Sequence, residues 1–351
     1  MTLTVGFDAH MIGTGETGNE TYALGLLQGL SELINRPRVV VYSPRPPAGS
    51  PFTHRPVSAD RDLRRLLVEL PARARRDGLA LLHSTYVSPP RLGVPSVLSV
   101  HDVTYLTHPE WFSRRDLVVL TVGVGLSIRR AAHVITGTAS ARSQILQRYR
   151  LDPSRVSVTP YAAGPAAVAV PETDAVALRR AAGLTEGRPY ILATGGGNPR
   201  KNMGRLMAAF ALMGTDGFGD LVIAGRPGRL ATPPGARLHL VGPVDDRTLA
   251  ALYQGASAFA LPSLEEGFGI PALEALAHGL PVAAADIPAL HEVCGDAAVY
   301  FDPRDVAAIA RGLEQALATN RPDQARARAA LFSWRRTAEH TVQVYRRVAG
   351  P

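Results

Sequence analysis

Short runs of β-branched and apolar residues alternate with helical patterns from one end of the chain to the other. Each run is long enough for one buried strand, and this alternation is typical of repeated βαβ units around a parallel sheet. The runs form two series, separated by an aperiodic stretch at 160–173 that is rich in Pro, Gly and Ala. We therefore expect an α/β protein with two doubly wound, Rossmann-like domains. The predicted strands are 3–7, 39–42, 79–83, 96–100, 133–136 and 156–158 in the first series, and 190–193, 221–224, 238–241, 258–261, 282–284 and 298–301 in the second.

The length supports this division, because 351 residues exceed the size at which one hydrophobic core usually stops growing. The predicted domains cover 1–165 and 175–334, and a last helix at 335–351 is expected to pack back toward the first domain. In proteins of this kind ligands bind at the carboxyl ends of the strands. We therefore expect the functional site in a cleft between the two domains.

The composition excludes several classes of protein. Hydrophobic residues make up 46% of the chain and charged residues 19%, which indicates a folded globular protein. The longest apolar stretch, 117–126, is too short to cross a bilayer, and the first residues lack the pattern of an export signal, so we expect a cytoplasmic protein. Cys294 is the only cysteine, which excludes an intrachain disulfide.

Positive charge is concentrated in the first half of the chain. Residues 1–165 hold 19 Arg and 12 acidic residues, a net +7, whereas the remainder holds 19 basic and 18 acidic residues, a net +1. This asymmetry favours an acceptor that is anionic or lipid-linked, and peripheral contact with the inner face of an anionic membrane. No nucleic-acid partner is expected.

The stretch 61–76 is the most basic part of that half. It carries Leu residues at helical spacing, and Pro71 is expected to break or kink the helix. Two interpretations stay open, a solvated helix packed through its Leu face and a basic surface that touches anionic lipid. The residues concerned are Arg61, Arg64, Arg65, Arg73, Arg75 and Arg76, with Leu63, Leu66, Leu67 and Leu70.

A glycine-containing loop precedes a short predicted helix in the second half. Pro271 is expected at the first helical position, and Gly267 and Gly269 lie in the loop before it. Small residues there let a ligand approach N–H groups at the helix N-terminus, which is a ready site for a phosphate. Glu266 and Glu274 flank this site. Carboxylates do not bind phosphate, so we expect them to bind the hydroxyl groups of sugars attached to it.

Lys201 is the only lysine among 38 basic residues, so this position retains a compact ammonium group where the chain otherwise uses arginine. It follows Arg200 in a segment that lies between the predicted strand 190–193 and a helix. Gly196 and its neighbours give a ligand close access to the end of this strand. A diphosphate is the expected partner of the two cations.

The run 266–274 matches the E-x7-E signature of retaining glycosyltransferases with the GT-B fold, and the chain closely resembles glycosyltransferase family 4. The resemblance covers nearly the whole chain. Its further motifs are Gly18-Asn-Glu-Thr-Tyr22, His101-Asp102, Arg200-Lys201-Asn202, Pro262-Ser263, the segment 277–282, Glu292, and Phe332-Ser-Trp334.

The resemblance implies roles for the residues of the second domain. Glu274 would hold the ribose hydroxyls of the donor nucleotide. Glu266 would hold the donor sugar, together with the backbone of Phe268, Gly269 and Ile270. No side chain is expected to act as a covalent nucleophile.

The resemblance also assigns the phosphate groups and the first domain. Lys201, with Arg200, would neutralise the leaving diphosphate, while Gly18 would let the N-terminal loop close on it. His101 would face the donor sugar, although a purely structural pair with Asp102 remains an alternative.

The chain departs from the family pattern at one position. Many relatives have an Arg six residues before the Lys, whereas this chain has Gly195. Either Arg200 or Arg226 would then have to supply the second positive charge.

The implied activity is a front-face, metal-independent transfer of a hexose from a nucleoside diphosphate sugar to an acceptor hydroxyl. A mannosyl-type sugar on GDP is favoured over UDP-sugars, and no other cofactor is expected. A GT-B-type epimerase, a sugar phosphorylase and a non-catalytic nucleotide-sugar binding protein remain the alternatives.

Two other motifs are weaker. Gly13 to Gly18 match G-x-G-x-x-G, but five residues separate them from the preceding strand and the second strand lacks the ribose-binding acid, which disfavours a dehydrogenase. Asp60-Arg61-Asp62 matches a metal-binding D-x-D. It opens a helical pattern, where Asp60 is better explained as an N-cap and Asp62 as a first-turn acid.

Overall fold

The computed structural model describes residues 3–15, 17–58, 62–214, 218–228, 230–231 and 237–350. The chain divides into two compact units, the first comprising Met1–Ala162 with Ser333–Pro351 and the second Ala163–Phe332. The sequence puts the first boundary three residues later, at 165, and begins the second domain only at 175. The stretch from 163 belongs to the second unit because it packs there: the His278 ring nitrogen Nε2 donates to the Ala166 carbonyl oxygen at 2.8 Å.

The first unit contains a parallel seven-stranded sheet in the order β3-β2-β1-β4-β5-β6-β7. Its central strands are buried except at the first residue of β1, which agrees with their continuous apolar character. The strands are β1 Thr4–Asp8, β2 Arg38–Ser43, β3 Thr53–Pro56, β4 Leu81–Thr85, β5 Ser96–Ser99, β6 His133–Thr136 and β7 Val156–Val158.

Strand β3 is absent from the predicted strands. It has the sequence Thr-His-Arg-Pro, is partly exposed along its length, and pairs only with β2 at the edge of the sheet. A proline and three polar side chains give it no strand-like alternation. An edge position tolerates such residues, since one side of the strand makes no ladder hydrogen bonds.

Helices cover both faces of this sheet. The helix Trp334–Ala349 packs tightly on the helix Thr17–Ser31, and glycines allow the close approach. A Cβ atom at Gly25 would lie 2.1 Å from the Trp334 ring, and one at Gly29 would lie 2.0 Å from the Trp334 carbonyl oxygen. The other helices of the unit are Thr104–Thr107, Ala139–Tyr149 and two longer helical segments, at 62–76 and 114–130.

Those two longer segments each contain a π-helical turn, at Arg65–Glu69 and Val119–Val124. In the 62–76 helix the Leu70 N–H donates to the Arg65 carbonyl oxygen, and Pro71 then falls in the first turn of Leu70–Arg76. Proline is tolerated in a first turn, where its missing N–H is not needed, so the chain stays helical through Pro71. The regular α-helical hydrogen bonding is nevertheless interrupted by the π-helical turn directly before it, and the predicted kink stays a prediction.

The predicted Leu face of the 62–76 helix is only half packed. Leu66 and Leu70 are buried, whereas Leu63 and Leu67 are 73% and 56% exposed. Arg65 is also buried and forms an ion pair with Asp8 at the end of β1, so it contributes nothing to a basic surface.

The second unit contains a parallel six-stranded sheet in the order β10-β9-β8-β11-β12-β13. Its strands are β8 Tyr190–Thr194, β9 Asp220–Ala224, β10 Leu238–Gly242, β11 Ala258–Leu261, β12 Val282–Ala285 and β13 Ala298–Phe301. Its α-helices are Glu172–Ala181, Met203–Leu212, Asp246–Gly255, Ile270–Ala277, Pro288–Cys294, Val306–Leu317 and Pro322–Ala330.

Both sheets have the doubly wound order, with the direction of winding reversed beside the first strand of each unit. In such sheets the reversal opens a crevice at the carboxyl ends of the strands. The predicted fold class, two Rossmann-like parallel-sheet domains, is thereby confirmed. Among the described residues no helix is both long and apolar enough to cross a membrane.

Candidate active site

Strand β8 ends at the reversal point of the second sheet, and the residues that follow it form a tight turn. Asn198 caps the 3₁₀ turn Pro199–Lys201, its side-chain oxygen accepting from the Arg200 N–H at 2.9 Å. Asn202 then adopts a left-handed conformation, with φ 58°, and the next helix begins at Met203. The turn therefore holds Arg200 and Lys201 at the carboxyl end of the strand.

Asn202 ties this turn to two neighbouring loops. Its side-chain nitrogen donates to the carbonyl oxygen of Pro262, after β11, at 3.0 Å and to that of Pro303, after β13, at 2.7 Å. The Leu264 N–H donates to the Arg200 carbonyl oxygen at 2.9 Å. Three loops are thus fixed around the two cations, which reduces the reorganisation that binding an anion requires.

Glu266 lies directly against both cations. The Lys201 ammonium donates to one carboxylate oxygen at 2.7 Å, and the Arg200 guanidinium lies 3.5 Å from the other. Burial would raise the pKa of Glu266, but the charges of Lys201 and Arg200, with the hydrogen bond from Lys201, lower it to about 2. The Glu266 carboxylate is therefore ionised and forms ion pairs with both Lys201 and Arg200.

The helix Ile270–Ala277 begins next to this cluster. Gly269 is its N-cap, with φ 99°, and a Cβ atom there would lie 2.5 Å from Leu290, so both the backbone and the packing require glycine. Phe268 is buried against Phe332, with ring centroids 5.8 Å apart. The Phe268 side chain anchors the loop, and the predicted contacts of 268–270 with the donor are left to the backbone.

Glu274 lies one turn into this helix and is 6% exposed. The Tyr253 hydroxyl donates to its carboxylate at 3.0 Å, and the Gly164 N–H also donates to it. Burial dominates these contacts and raises the pKa of Glu274 to about 7. Glu266 and Glu274 thus differ sharply: one is held ionised by cations, and the other is easily protonated.

The geometry explains the departure at Gly195. Its φ is 151°, and a Cβ atom would lie 2.7 Å from Met203 Cε and 3.2 Å from the Lys201 side chain. A side chain at this position would strain the backbone and crowd Met203 and Lys201. Gly196 is equally constrained, since a Cβ atom there would lie 2.0 Å from the Arg226 carbonyl oxygen. Of the two candidates for the second charge, Arg200 lies beside Lys201 and Glu266, whereas the Arg226 side chain is exposed.

His101 belongs to the first unit and follows β5. Its ring nitrogen Nδ1 lies 2.6 Å from the Tyr161 hydroxyl, and the rings of Tyr22 and Tyr86 contact it at centroid distances of 4.7 and 5.4 Å. Burial lowers the pKa of His101 to about 4, so the ring is neutral near pH 7. Within the described part of the chain the buried Nε2 atom has no hydrogen-bond partner.

Gly18 lies in the first turn of the helix Thr17–Ser31, and a Cβ atom there would meet no atom of the described residues within 4 Å. The folded chain therefore does not require glycine at this position. In the preceding loop the Glu20 carboxylate accepts from the Gly13 N–H at 2.6 Å and the Gly15 N–H at 3.3 Å. The chain's own carboxylate thus binds the N–H groups that a dinucleotide fingerprint would offer to a pyrophosphate.

Sequence reasoning missed three of these residues. Tyr253 contacts Glu274 from another helix, and no motif connects the two. Tyr86 has φ 59°, unusual for a non-glycine residue, and a single sequence gives no sign of it. Glu20 lies inside the Gly18–Tyr22 motif, but its hydrogen bonds to the preceding loop depend on how that loop folds.

The roles predicted for the D-x-D motif, Asp60 as an N-cap and Asp62 as a first-turn acid, stay predictions. Asp60 and Arg61 lie outside the described residues, and only the backbone of Asp62 is described, at the start of a helix. In the described ranges no three His, Cys, Asp or Glu side chains are grouped as a metal site would need.

Two Rossmann-like units with this strand order, and an acid pair spaced E-x7-E around a helix N-terminus, define a glycosyltransferase of the GT-B class. Residues 17–162 match the family model described as Glycosyltransferase Family 4, and residues 188–319 match that described as Glycosyl transferases group 1. The chain belongs to glycosyltransferase family 4, and it is an enzyme of that family.

Similar proteins agree with this assignment. O-antigen chain mannosyltransferase B of Escherichia coli is 28% identical over 72% of this chain and 70% of its own length. D-inositol 3-phosphate glycosyltransferase of Salinispora arenicola is 30% identical over 76% of this chain and 68% of its own length. HepE of Anabaena, solved with UDP and glucose, has the same fold, with a TM-score of 0.73 at 18% identity over 97% of this chain and 99% of its own.

Proposed function

We propose that this enzyme transfers a mannosyl-type hexose from a nucleoside diphosphate sugar, with GDP favoured over UDP, to an acceptor hydroxyl, with retention of configuration and without a metal ion. The observation that carries the proposal is the cluster at the end of β8. Lys201 and Arg200 are held ready on Glu266, and the loop that carries Glu266 leads into the N-terminus of the Glu274 helix.

The two cations would stabilise the leaving group. When the bond between the anomeric carbon and the diphosphate oxygen breaks, negative charge grows on that oxygen, and a fixed positive charge stabilises the transition state more than the ground state. The incoming diphosphate would replace Glu266 as the partner of Lys201 and Arg200. The released Glu266 carboxylate would then be able to accept from a sugar hydroxyl.

The acceptor oxygen would attack the anomeric carbon on the face from which the diphosphate departs. Its proton would pass to the departing phosphate oxygen, so that the reaction yields a glycoside and a nucleoside diphosphate. This front-face course needs no covalent nucleophile.

Glu274 would accept from the ribose hydroxyls of the nucleotide, with Tyr253 and the Gly164 N–H fixing its orientation. The neutral ring of His101 has a buried nitrogen left for a ligand in the described part of the chain, as a contact with the donor sugar would require. The open space beside Gly18 supports a ligand there and not a packing role.

The choice of a mannosyl donor rests on the similarity of the chain to mannosyltransferases such as O-antigen chain mannosyltransferase B of Escherichia coli. The acceptor would be an anionic or lipid-linked glycoconjugate, which fits the positive charge of the first half of the chain. We further propose that the enzyme works at the cytoplasmic face of a membrane, with the exposed arginines of 62–76 contributing to its attraction.

A donor panel tests the reaction. The enzyme is incubated with GDP-mannose, GDP-glucose, UDP-glucose and UDP-galactose, with and without lipid-linked acceptors, and proton NMR reports the anomeric configuration of the product. Transfer of an α-linked mannose supports the proposal. Inversion of the anomeric configuration would contradict the retaining mechanism. Conversion of the donor sugar without transfer would indicate an epimerase, and release of sugar only with added inorganic phosphate would indicate a phosphorylase.

A further inference from the structure

Large apolar side chains are exposed mainly on two helical segments of the first unit. In the described part of the chain, seven of the eleven exposed large hydrophobic residues lie on the 62–76 and 114–130 helices. Isolated exposed apolar residues are normal, but such a concentration marks an interaction surface. The seven are Leu63, Leu67, Val68, Val118, Val119, Val122 and Leu126, with exposed fractions between 45% and 73%.

The apolar residues of the 114–130 helix form one stripe. Val118, Val122 and Leu126 recur every four residues, so they lie on one side of the helix. Val124 and Ile128 point the other way and are fully buried in the core. The helix is therefore apolar on both sides, although only one side is covered by the unit.

The two helices lie on the same face of the sheet. Both connect strands that step in the same direction across the sheet, from β3 to β4 and from β5 to β6, and right-handed crossovers put such connections on one face. Val87, between β4 and β5, packs against the core around Leu66 and against the core around Val124. The exposed stripes thus lie on the same face of the unit, and together they are called here the apolar ridge.

Exposed arginines border the apolar ridge. Arg114 and Arg115 stand at the start of one helix and Arg129 and Arg130 at its end, while the other helix has Arg64, Arg75 and Arg76. The first unit holds 23 basic and 13 acidic residues, a net +10, and the second holds 15 and 17, a net −2. Including the last helix in the first unit makes the charge asymmetry larger than a simple division of the sequence indicates.

We propose that the apolar ridge docks on an anionic lipid bilayer, with its valines and leucines inserted among the lipids and its arginines at the headgroups. A second copy of the chain is the other occupant that an apolar face suggests. Self-association through this ridge would bring together two sets of arginines from units that each carry +10. The charge therefore favours an anionic surface, and this holds whichever sugar the enzyme transfers.

Vesicle co-sedimentation tests the ridge without any sugar donor. Full-length protein is mixed with vesicles of phosphatidylcholine and with vesicles that also contain phosphatidylglycerol. We expect binding only to the anionic vesicles. The variant Val118→Ser with Val122→Ser should lower the partition coefficient at least about tenfold, since each loses methyl groups that the bilayer would bury.

Charge and control variants separate the two contributions. Replacing Arg115 and Arg129 with Gln should also weaken binding, with an effect that shrinks at high salt, whereas the effect of the valine changes should persist. Ile34→Ser removes a residue that is 94% exposed on the same unit but outside the ridge, and it should change nothing.

Two outcomes would overturn the proposal. One is wild-type protein that stays in the supernatant with anionic vesicles at low salt. The other is a dimer, seen by analytical ultracentrifugation, that the Val118→Ser and Val122→Ser changes dissociate, because the ridge would then be an interface between copies. Either result would leave the sugar-transfer assay, with a water-soluble acceptor, unaffected as a test of the proposed function.

Discussion

Replacing Glu274 with Gln should stabilise the folded protein while weakening nucleotide binding. Burial raises the pKa of this carboxyl from 4.5 to about 7, so keeping it ionised in the fold costs free energy. The shift is about 2.5 pKa units, and at about 1.4 kcal/mol per unit the cost reaches about 3 kcal/mol. Glutamine has the same shape, carries no charge, and retains an oxygen that can accept from the Tyr253 hydroxyl.

The size of the stabilisation depends on pH. Because the folded-state pKa is the higher one, the folded chain binds more protons than the unfolded chain between about pH 4.5 and pH 7, and wild-type stability falls as pH rises through this window. The cost is absent below the window and complete above it. The Glu274→Gln variant should therefore match wild type near pH 4.5 and be more stable by up to about 3 kcal/mol above pH 7.

Denaturant unfolding of both proteins at about pH 5 and about pH 8 measures this difference. Glu314→Gln, at an exposed site on the helix Val306–Leu317, is the matched control and should change the free energy of unfolding by less than about 0.5 kcal/mol. A Glu274→Gln variant that is less stable than wild type at the higher pH, or equally shifted at both, would refute the reasoning.

The same residue gives a binding test. If the ionised carboxylate accepts from ribose hydroxyls, wild-type affinity for a nucleoside diphosphate should fall as pH drops below about 7, because the protonated group loses an acceptor. Calorimetry should show the Gln variant binding about 10 to 150 times more weakly, without that pH dependence. If the Gln variant is stabilised but binds the nucleotide as tightly as wild type, the stability argument holds and Glu274 does not contact the nucleotide.

Four further predictions follow from the site. Lys201→Ala should lower turnover about 10²- to 10³-fold while nucleoside binding changes little, and a near wild-type rate would remove Lys201 from the mechanism. Gly18→Ala should leave the melting temperature unchanged, since its Cβ atom meets no described residue within 4 Å, yet reduce kcat/KM for the donor; retained activity would contradict a ligand contact. Gly195→Arg should reduce both stability and activity because a φ of 151° disfavours a side chain and its Cβ atom would crowd Met203 and Lys201, so a more active variant would contradict this explanation. Transfer should continue in EDTA, and recovery only on adding Mn²⁺ or Mg²⁺ would disprove metal independence.

The local pattern of the chain was sufficient to predict most of the architecture. Buried parallel strands need continuous apolar runs, and these mark twelve of the thirteen strands in the described part of the chain to within two residues at each end. Helix termini are equally local, since Gly279, with φ 78°, follows the helix Ile270–Ala277 as predicted. Pro271 lies one position further into the helix than expected, because Gly269 supplies the cap.

These local patterns do not predict interactions between residues that are far apart in the sequence. Edge strand β3 exists because β2 offers it a partner, and its own sequence has no strand character. Gly25 and Gly29 allow the last helix to approach the first one, but their purpose is visible only when Trp334 is packed against them. In each case the stabilising partner is far away in the sequence.

For the candidate site too, the sequence predicts one part and the tertiary structure determines the other. Glu266, Glu274 and Lys201 could be singled out from the sequence because the chemistry of sugars and phosphates restricts residue types at fixed spacings. The protonation states of the two glutamates could not be predicted from the sequence, since their pKa values are nearly the same in an unfolded chain. Burial against Tyr253 raises the pKa of Glu274, and contact with Lys201 lowers that of Glu266. Desolvation and charge pairing depend on the folded surroundings, so only the tertiary structure decided how the two acids differ.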